Sequence, residues 1–240
     1  MLRTLLIRKL LIVTFLFTLY VTVAVAQTVP SNSDPVLQGS ATYSMPQSAI
    51  DAEIDGPVTM AIRVDETGKP ATAALVSLPM WPCGANPMAA LDELSSTLSS
   101  TMMKLVFTPG IKDGKPTTKD VGLKLTLKNP KLLPKPAEID PLTGQKKPTQ
   151  ISAGVMNGKA KELPKPNYPA EARANGESGA VTIQIFTDEN GKVVRAGALQ
   201  GAPRLQYAAR DAACKAKFEP IILSGNPIKV SGLLTYNFVR

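Results

Sequence analysis

Gly179-Ala-Val-Thr-Ile-Gln-Ile-Phe-Thr-Asp188-Glu189-Asn-Gly191-Lys192 restates Gly56-Pro-Val-Thr-Met-Ala-Ile-Arg-Val-Asp65-Glu66-Thr-Gly68-Lys69, which lies 123 positions upstream. In both copies apolar residues alternate with polar or small ones, the period-two pattern of a half-buried strand. Each run ends in Asp-Glu-x-Gly, turn chemistry that returns the chain as a hairpin. Working outward, Met45-Pro46 corresponds to Tyr168-Pro169, while Phe107, Pro109, Gly114 and Pro116 correspond to Phe218, Pro220, Gly225 and Pro227. The offset falls from 123 to 111 between these blocks, so the first copy carries 12 additional residues. Internal repetition sets the unit of the fold, here about 70 to 85 residues.

Helix signals follow each hairpin. Pro203 suits a first turn, and Leu205, Ala208, Ala209, Ala212 and Ala216 share one face. In the first copy Asn86-Pro87 opens a longer helix with Leu91, Leu94, Leu98, Met102 and Leu105 as its apolar stripe. A last strand closes each unit, about Val121 to Leu127 and Ile228 to Phe238. The expected fold class is α+β: two small tandem domains, each a three-stranded antiparallel sheet packed with helices. Asn157-Gly158 reads as a further hairpin turn leading into the second unit.

The start of the chain sets the compartment. Arg3, Arg8 and Lys9 precede an uncharged apolar run from Leu10 to Ala26 that closes in Ala24-Val25-Ala26, the form of a secretory signal peptide. The alternative is an uncleaved anchor over residues 10–26, although 17 helical residues span only about 26 Å of a roughly 30 Å hydrocarbon core. Cleavage would lower the net charge from +8 to +5. Residues 128–165 hold 8 basic and 3 acidic groups, an excess equal to that of the whole cleaved chain. Such a Pro- and Lys-rich stretch without period reads as a solvated, polyproline-like spacer. The expected organisation is a signal peptide over 1–26, a flexible segment over 27–44, a first domain over 45–128, a linker over 129–153 and a second domain over 154–240. Nucleic acid is not an expected partner, since no basic patch is interleaved with aromatics.

The string Pro166-Asn-Tyr168-Pro169-Ala-Glu-Ala172-Arg173, followed by Gly179, Asp188 to Gly191, Phe218-Glu-Pro220, Gly225-Asn-Pro227 and Tyr236-Asn-Phe238, resembles the C-terminal domain of TonB-family proteins over about 160–240. The first unit, about 45–127, is similar to a divergent copy, with Met45 in the place of the Tyr and Ile50 in the place of the Arg. The resemblance implies a periplasmic protein that captures an extended peptide, the TonB box of an outer-membrane receptor, or another envelope partner. It would do so by adding a strand to a sheet edge. The implied peptide-binding residues are Lys165, Pro166, Asn167 and Tyr168, together with Ile228, Lys229, Val230, Ser231, Gly232, Leu233, Leu234, Thr235 and Tyr236 on the last strand. The plain alternative for Ile228, Val230, Leu234 and Phe238 is core packing, leaving the backbone edge as the functional element.

Departures open other readings. The family's energy transducers keep an N-terminal membrane helix whose Ser and His engage inner-membrane motor proteins. This chain has no His, and its apolar segment carries Thr14, Thr18 and Thr22 but no Ser. A membrane-anchored transducer of transmembrane transport is therefore the alternative function, and a structural envelope protein, for example a homodimer with its edges paired, is a third. No enzyme is expected: without His there is no Ser/His or Cys/His nucleophile pair and no imidazole metal site, and no Gly-rich phosphate loop occurs. Catalytic, metal and cofactor residues are accordingly none. The Asp65-Glu66 and Asp188-Glu189 pairs read as turn residues rather than acid/base carboxylates.

Two cysteines remain. Cys214 projects about 180° from Leu205, beside Tyr207 and Arg210 on the outward face of its helix. Cys83, in Met80-Trp81-Pro82-Cys83-Gly84, falls in the 12-residue insertion and reads as part of a loop. Export favours a Cys83 to Cys214 bridge joining the two units; two free thiols or a bridge between chains are the alternatives.

Overall fold

The computed structural model describes residues 31–132 and 150–239. The expected signal peptide over 1–26 and the stretch 133–149 of the expected linker lie outside the described residues. Among the described residues no helix is long and apolar enough to cross a membrane.

The first unit opens with two short strands, β1 (Asn32–Ser33) and β2 (Val36–Leu37), in the segment expected to be flexible. Helix α1 (Gln47–Asp51) starts behind Pro46 and is followed by strands β3 (Gly56–Val64), β4 (Pro70–Leu75) and β5 (Leu78–Pro82). Helix α2 (Met88–Met102) follows, then β6 (Phe107–Thr108), β7 (Gly110–Lys112), β8 (Lys115–Thr117) and β9 (Lys119–Leu127). The antiparallel sheet runs β4-β3-β9. Its inner face, Val58, Met60, Ile62 and Val64, packs against Leu91, Leu94, Leu98 and Met102 of α2. Full burial of side chains of this size stabilises by roughly 1.5–3 kcal/mol each. Asn129, in the expected linker, is buried and donates to the carbonyls of Ile50 and Ile54 behind α1.

The second unit holds β10 (Gln150–Val155), β11 (Ala160–Glu162), α3 (Ala170–Ala174), β12 (Gly179–Thr187), β13 (Val193–Gln200), α4 (Pro203–Cys214), β14 (Lys217–Phe218), β15 (Ile221–Leu223) and β16 (Asn226–Phe238). Its antiparallel core, β13-β12-β16, has the order of β4-β3-β9, and α4 covers it as α2 covers the first. The likeness reaches atomic detail. Asp65 Oδ1 accepts from the amides of Thr67 and Lys69, and Asp188 Oδ1 from those of Asn190 and Lys192, which makes both carboxylates turn-holders. In each turn the Gly carbonyl accepts from a later Phe amide at 2.9 Å: Gly68 from Phe107, Gly191 from Phe218. Positive φ angles (+85° and +78°) and a carbonyl oxygen 2.1 Å from any added Cβ require glycine at both.

Three local expectations are corrected. The insertion is not all loop: Leu78–Pro82 is a strand, β5. It touches the first unit through a bridge between Asp55 and Met80, and it pairs with β13 of the second through Arg195–Pro82, Ala196–Trp81 and Ala198–Leu78. Two prolines and no alternation hid it, since its three central residues, Pro79, Met80 and Trp81, are all buried rather than split between a polar and an apolar face. Asn157-Gly158 is not a hairpin turn: β10 pairs with β16 and β11 with β14, and Asn157–Lys159 forms a 3-10 turn between them. The second sheet also exceeds three strands, running β10-β16-β12-β13-β5.

Candidate strand-binding edge

β16 is the last strand of the C-terminal sheet and supplies most of the residues implied by resemblance. β12 pairs on one side from Thr187–Val230 to Gly179–Phe238, while the first residues of β16, Asn226 to Ile228, pair with β15. Ile228, Val230, Leu234 and Tyr236 are buried in the core, so their side chains pack rather than present themselves. Lys229 is exposed, its ammonium 3.9 Å from Glu189.

The other side of β16, expected to be an open edge, is occupied. β10 lies along it in parallel, with Gln150, Ile151 and Ser152 opposite Lys229, Val230 and Ser231, and a register shift before Val155 meets Leu233. Ser231 Oγ donates to the Ile151 carbonyl at 3.4 Å. Beyond the strand, the Met156 amide donates to the Leu233 carbonyl at 2.8 Å, and Asn157 clasps Thr235 from both sides: its side-chain amide donates to the Thr235 carbonyl and its oxygen accepts from the Thr235 amide. Met156 is 1% exposed. Its place exists because residue 232 is glycine, where an added Cβ would come within 2.1 Å of the Met156 sulfur. Met156 and Asn157 were not among the residues implied by resemblance. The Asn-Gly dipeptide marked the place, but only a turn could be read from it.

β10 itself is short and largely exposed, with Ile151 and Ala153 partly buried against the core. Elements with few buried apolar groups and exposed backbone bonds occupy the low end of local stability. The edge therefore holds an extended segment that buries few side chains of its own between Gln150 and Val155 and is anchored just beyond by Met156 and Asn157.

The stretch Lys165 to Tyr168 divides by role. Tyr168 packs edge-on against Phe238 with ring centroids 5.4 Å apart, donates its hydroxyl to the Glu177 carbonyl, and lies under the Arg173 guanidinium. Lys165, Pro166 and Asn167 line a hollow of about 300 Å3 against Ala208 and Asp211 of α4 and Lys215 just beyond its end. Tyr168 on Phe238 is thus the contact that joins this stretch to β16.

The opposite edge, β13, is closed by β5, and around that pairing the two units are locked. Cys83 and Cys214 form a disulfide with Cα atoms 5.6 Å apart. The outward face of α4 is covered at Arg210 and partly at Cys214, while Tyr207 and Asp211 stay exposed. Arg210, 3% exposed, lies 3.6 Å over the Trp81 ring and donates to the carbonyls of Trp81, Pro82 and Ala196. Burial lowers its pKa to about 10. Arg195 of β13 reaches Asp55 of the first unit, whose carboxyl burial holds above its ordinary value despite the nearby guanidinium.

Among curated proteins none matches the chain. Residues 164–239 match the family described as Gram-negative bacterial TonB protein C-terminal. The first unit lies outside that match, and its likeness to the second is one of sequence blocks and strand order. The match spans α3, β12, β13, α4 and β16, so the C-terminal unit is similar to that family's domain.

Proposed function

We propose that this chain is exported, cleaved after Ala26, and binds an extended segment of an outer-membrane receptor or another envelope protein by strand addition along β16. In the free protein β10 holds the place that the partner strand takes. The observation that carries the reading is the β10–β16 pairing: the edge accepts an extended segment that has few buried side chains of its own. A partner with larger side chains and no backbone slip would bond more of the same amides. A segment entering in the place of β10 runs parallel to β16.

Hydrogen exchange of the full chain with added N-terminal peptides of outer-membrane receptors tests this. Binding should speed exchange at residues 150–156 while 229–235 stay protected. A second reading, a structural envelope protein, draws support from the internal pairing of both sheet edges by β5 and β10. It takes over if millimolar peptide leaves exchange at 150–156 unchanged.

A further inference from the structure

The face of a sheet turned away from its helix is ordinarily polar. Here the outward faces of the two sheets turn towards each other where β5 passes from one unit to the other, and the trough between them is walled by Pro57, Val76, Leu199, Pro203 and Leu233. It holds about 780 Å3, within the roughly 300–1,000 Å3 of small-molecule sites, which favour domain junctions. Thr59, Thr182 and Gln200 add neutral polar groups.

The trough is built in advance of any occupant. Gln206 of α4, 1% exposed, donates to the carbonyls of Val76 and Gly201, both at 2.8 Å, and so ties the first unit to the second at the trough's end. Ser77 Oγ accepts from the Thr59 amide at 2.7 Å and fixes the adjoining turn. The disulfide holds the same two units together.

Its charge is one-sided. Lys124, exposed on β9, is the single ionisable residue of the lining, with no ion pair among the described residues. We infer that the trough binds a single-chain anionic amphiphile, with the chain against Val76, Leu199 and Leu233 and the anionic head at Lys124. The trough shares Leu233 with the β16 edge, but the inference does not rest on the strand-addition reading.

Calorimetry of the full chain with dodecanoate, below its micelle concentration, and with dodecyltrimethylammonium tests the inference. Saturable one-to-one binding of dodecanoate, at least tenfold tighter than the cationic surfactant, is expected. Lys124→Glu should weaken dodecanoate at least tenfold and reverse the preference, and Leu199→Trp should abolish both by filling the trough. Lys124 is exposed, so its variant folds. Both variants retain residues 1–26, so binding by that apolar run would persist in Leu199→Trp. Absence of saturable binding, binding that survives Leu199→Trp, or a Lys124→Glu variant with unchanged preference overturns the inference, as would displacement of dodecanoate by an uncharged extended peptide alone.

Discussion

The guanidinium of Arg210 lies 3.6 Å over the ring of Trp81 and donates to that residue's own carbonyl, so one side chain of the second unit holds both the face and the backbone of a strand from the first. Arg210→Met keeps the bulk but removes the donors and leaves the carbonyls of Trp81, Pro82 and Ala196 short of partners. The expected loss is about 2–4 kcal/mol in urea unfolding. A change under about 1 kcal/mol would mean that the units are held together by other contacts.

The Cys83–Cys214 bridge closes a loop of 131 residues. Cys83→Ser with Cys214→Ser should lower stability by roughly 2–4 kcal/mol, read as a lower denaturation midpoint. Peptide mapping without reduction should recover the two cysteines in one linked fragment of a monomer. A fragment linking two chains would contradict the intramolecular lock.

Gly68 and Gly191 occupy the same position in the two units, each against a Phe carbonyl. Gly68→Ala and Gly191→Ala should each cost about 1–3 kcal/mol through positive φ and steric conflict. A variant that loses nothing would show that its hairpin can open.

Much of this was legible. The alternation in β3 and β12 and the stripe of Leu91, Leu94 and Leu98 carry their own period, so the repeated core could be read without a partner. The exposed projection of Cys214 pointed to the bridge. What could not be read depends on distant chain. β5, Leu-Pro-Met-Trp-Pro, has no alternation because Pro79, Met80 and Trp81 are all buried, between β13 on one side and the Asp55 bridge on the other. Arg210 looked solvated because Trp81, its cover, lies 129 positions away. β10 has small and polar residues and pairs in parallel with a strand some 80 positions on, so no local turn announces it, and an occupied edge read as an open one.

Tyr236 is buried, its hydroxyl has no hydrogen-bond partner among the described residues, and desolvation pushes its pKa up to about 12. The folded value exceeds the unfolded 10.0, so its stabilising contribution is whole below pH 10 and declines as pH rises through about 12. Tyr236→Phe should match or slightly exceed the wild type in stability at pH 8, since an unpaired buried hydroxyl is removed. Above pH 10 the wild type should lose stability faster than the variant. Parallel curves up to pH 11.5 would contradict a buried phenol.

Cleavage after Ala26 predicts that intact mass and N-terminal sequencing of protein from the envelope give a chain beginning at Gln27. A chain beginning at Met1 or Leu2 in inner-membrane fractions would favour the anchored transducer.

On the proposal above, β10 is a replaceable occupant of a strand-accepting edge. The direct measurement is the affinity of a synthetic peptide of residues 150–156, added in trans, for the wild-type chain and for Ile151→Asp, which removes the larger of the two side chains, Ile151 and Ala153, that β10 packs against the core. Weakening the internal strand frees the edge, so the peptide should bind the variant at least tenfold more tightly, with new exchange protection at residues 229–235. Equal or weaker binding by the variant, with circular dichroism showing it folded, would contradict the account.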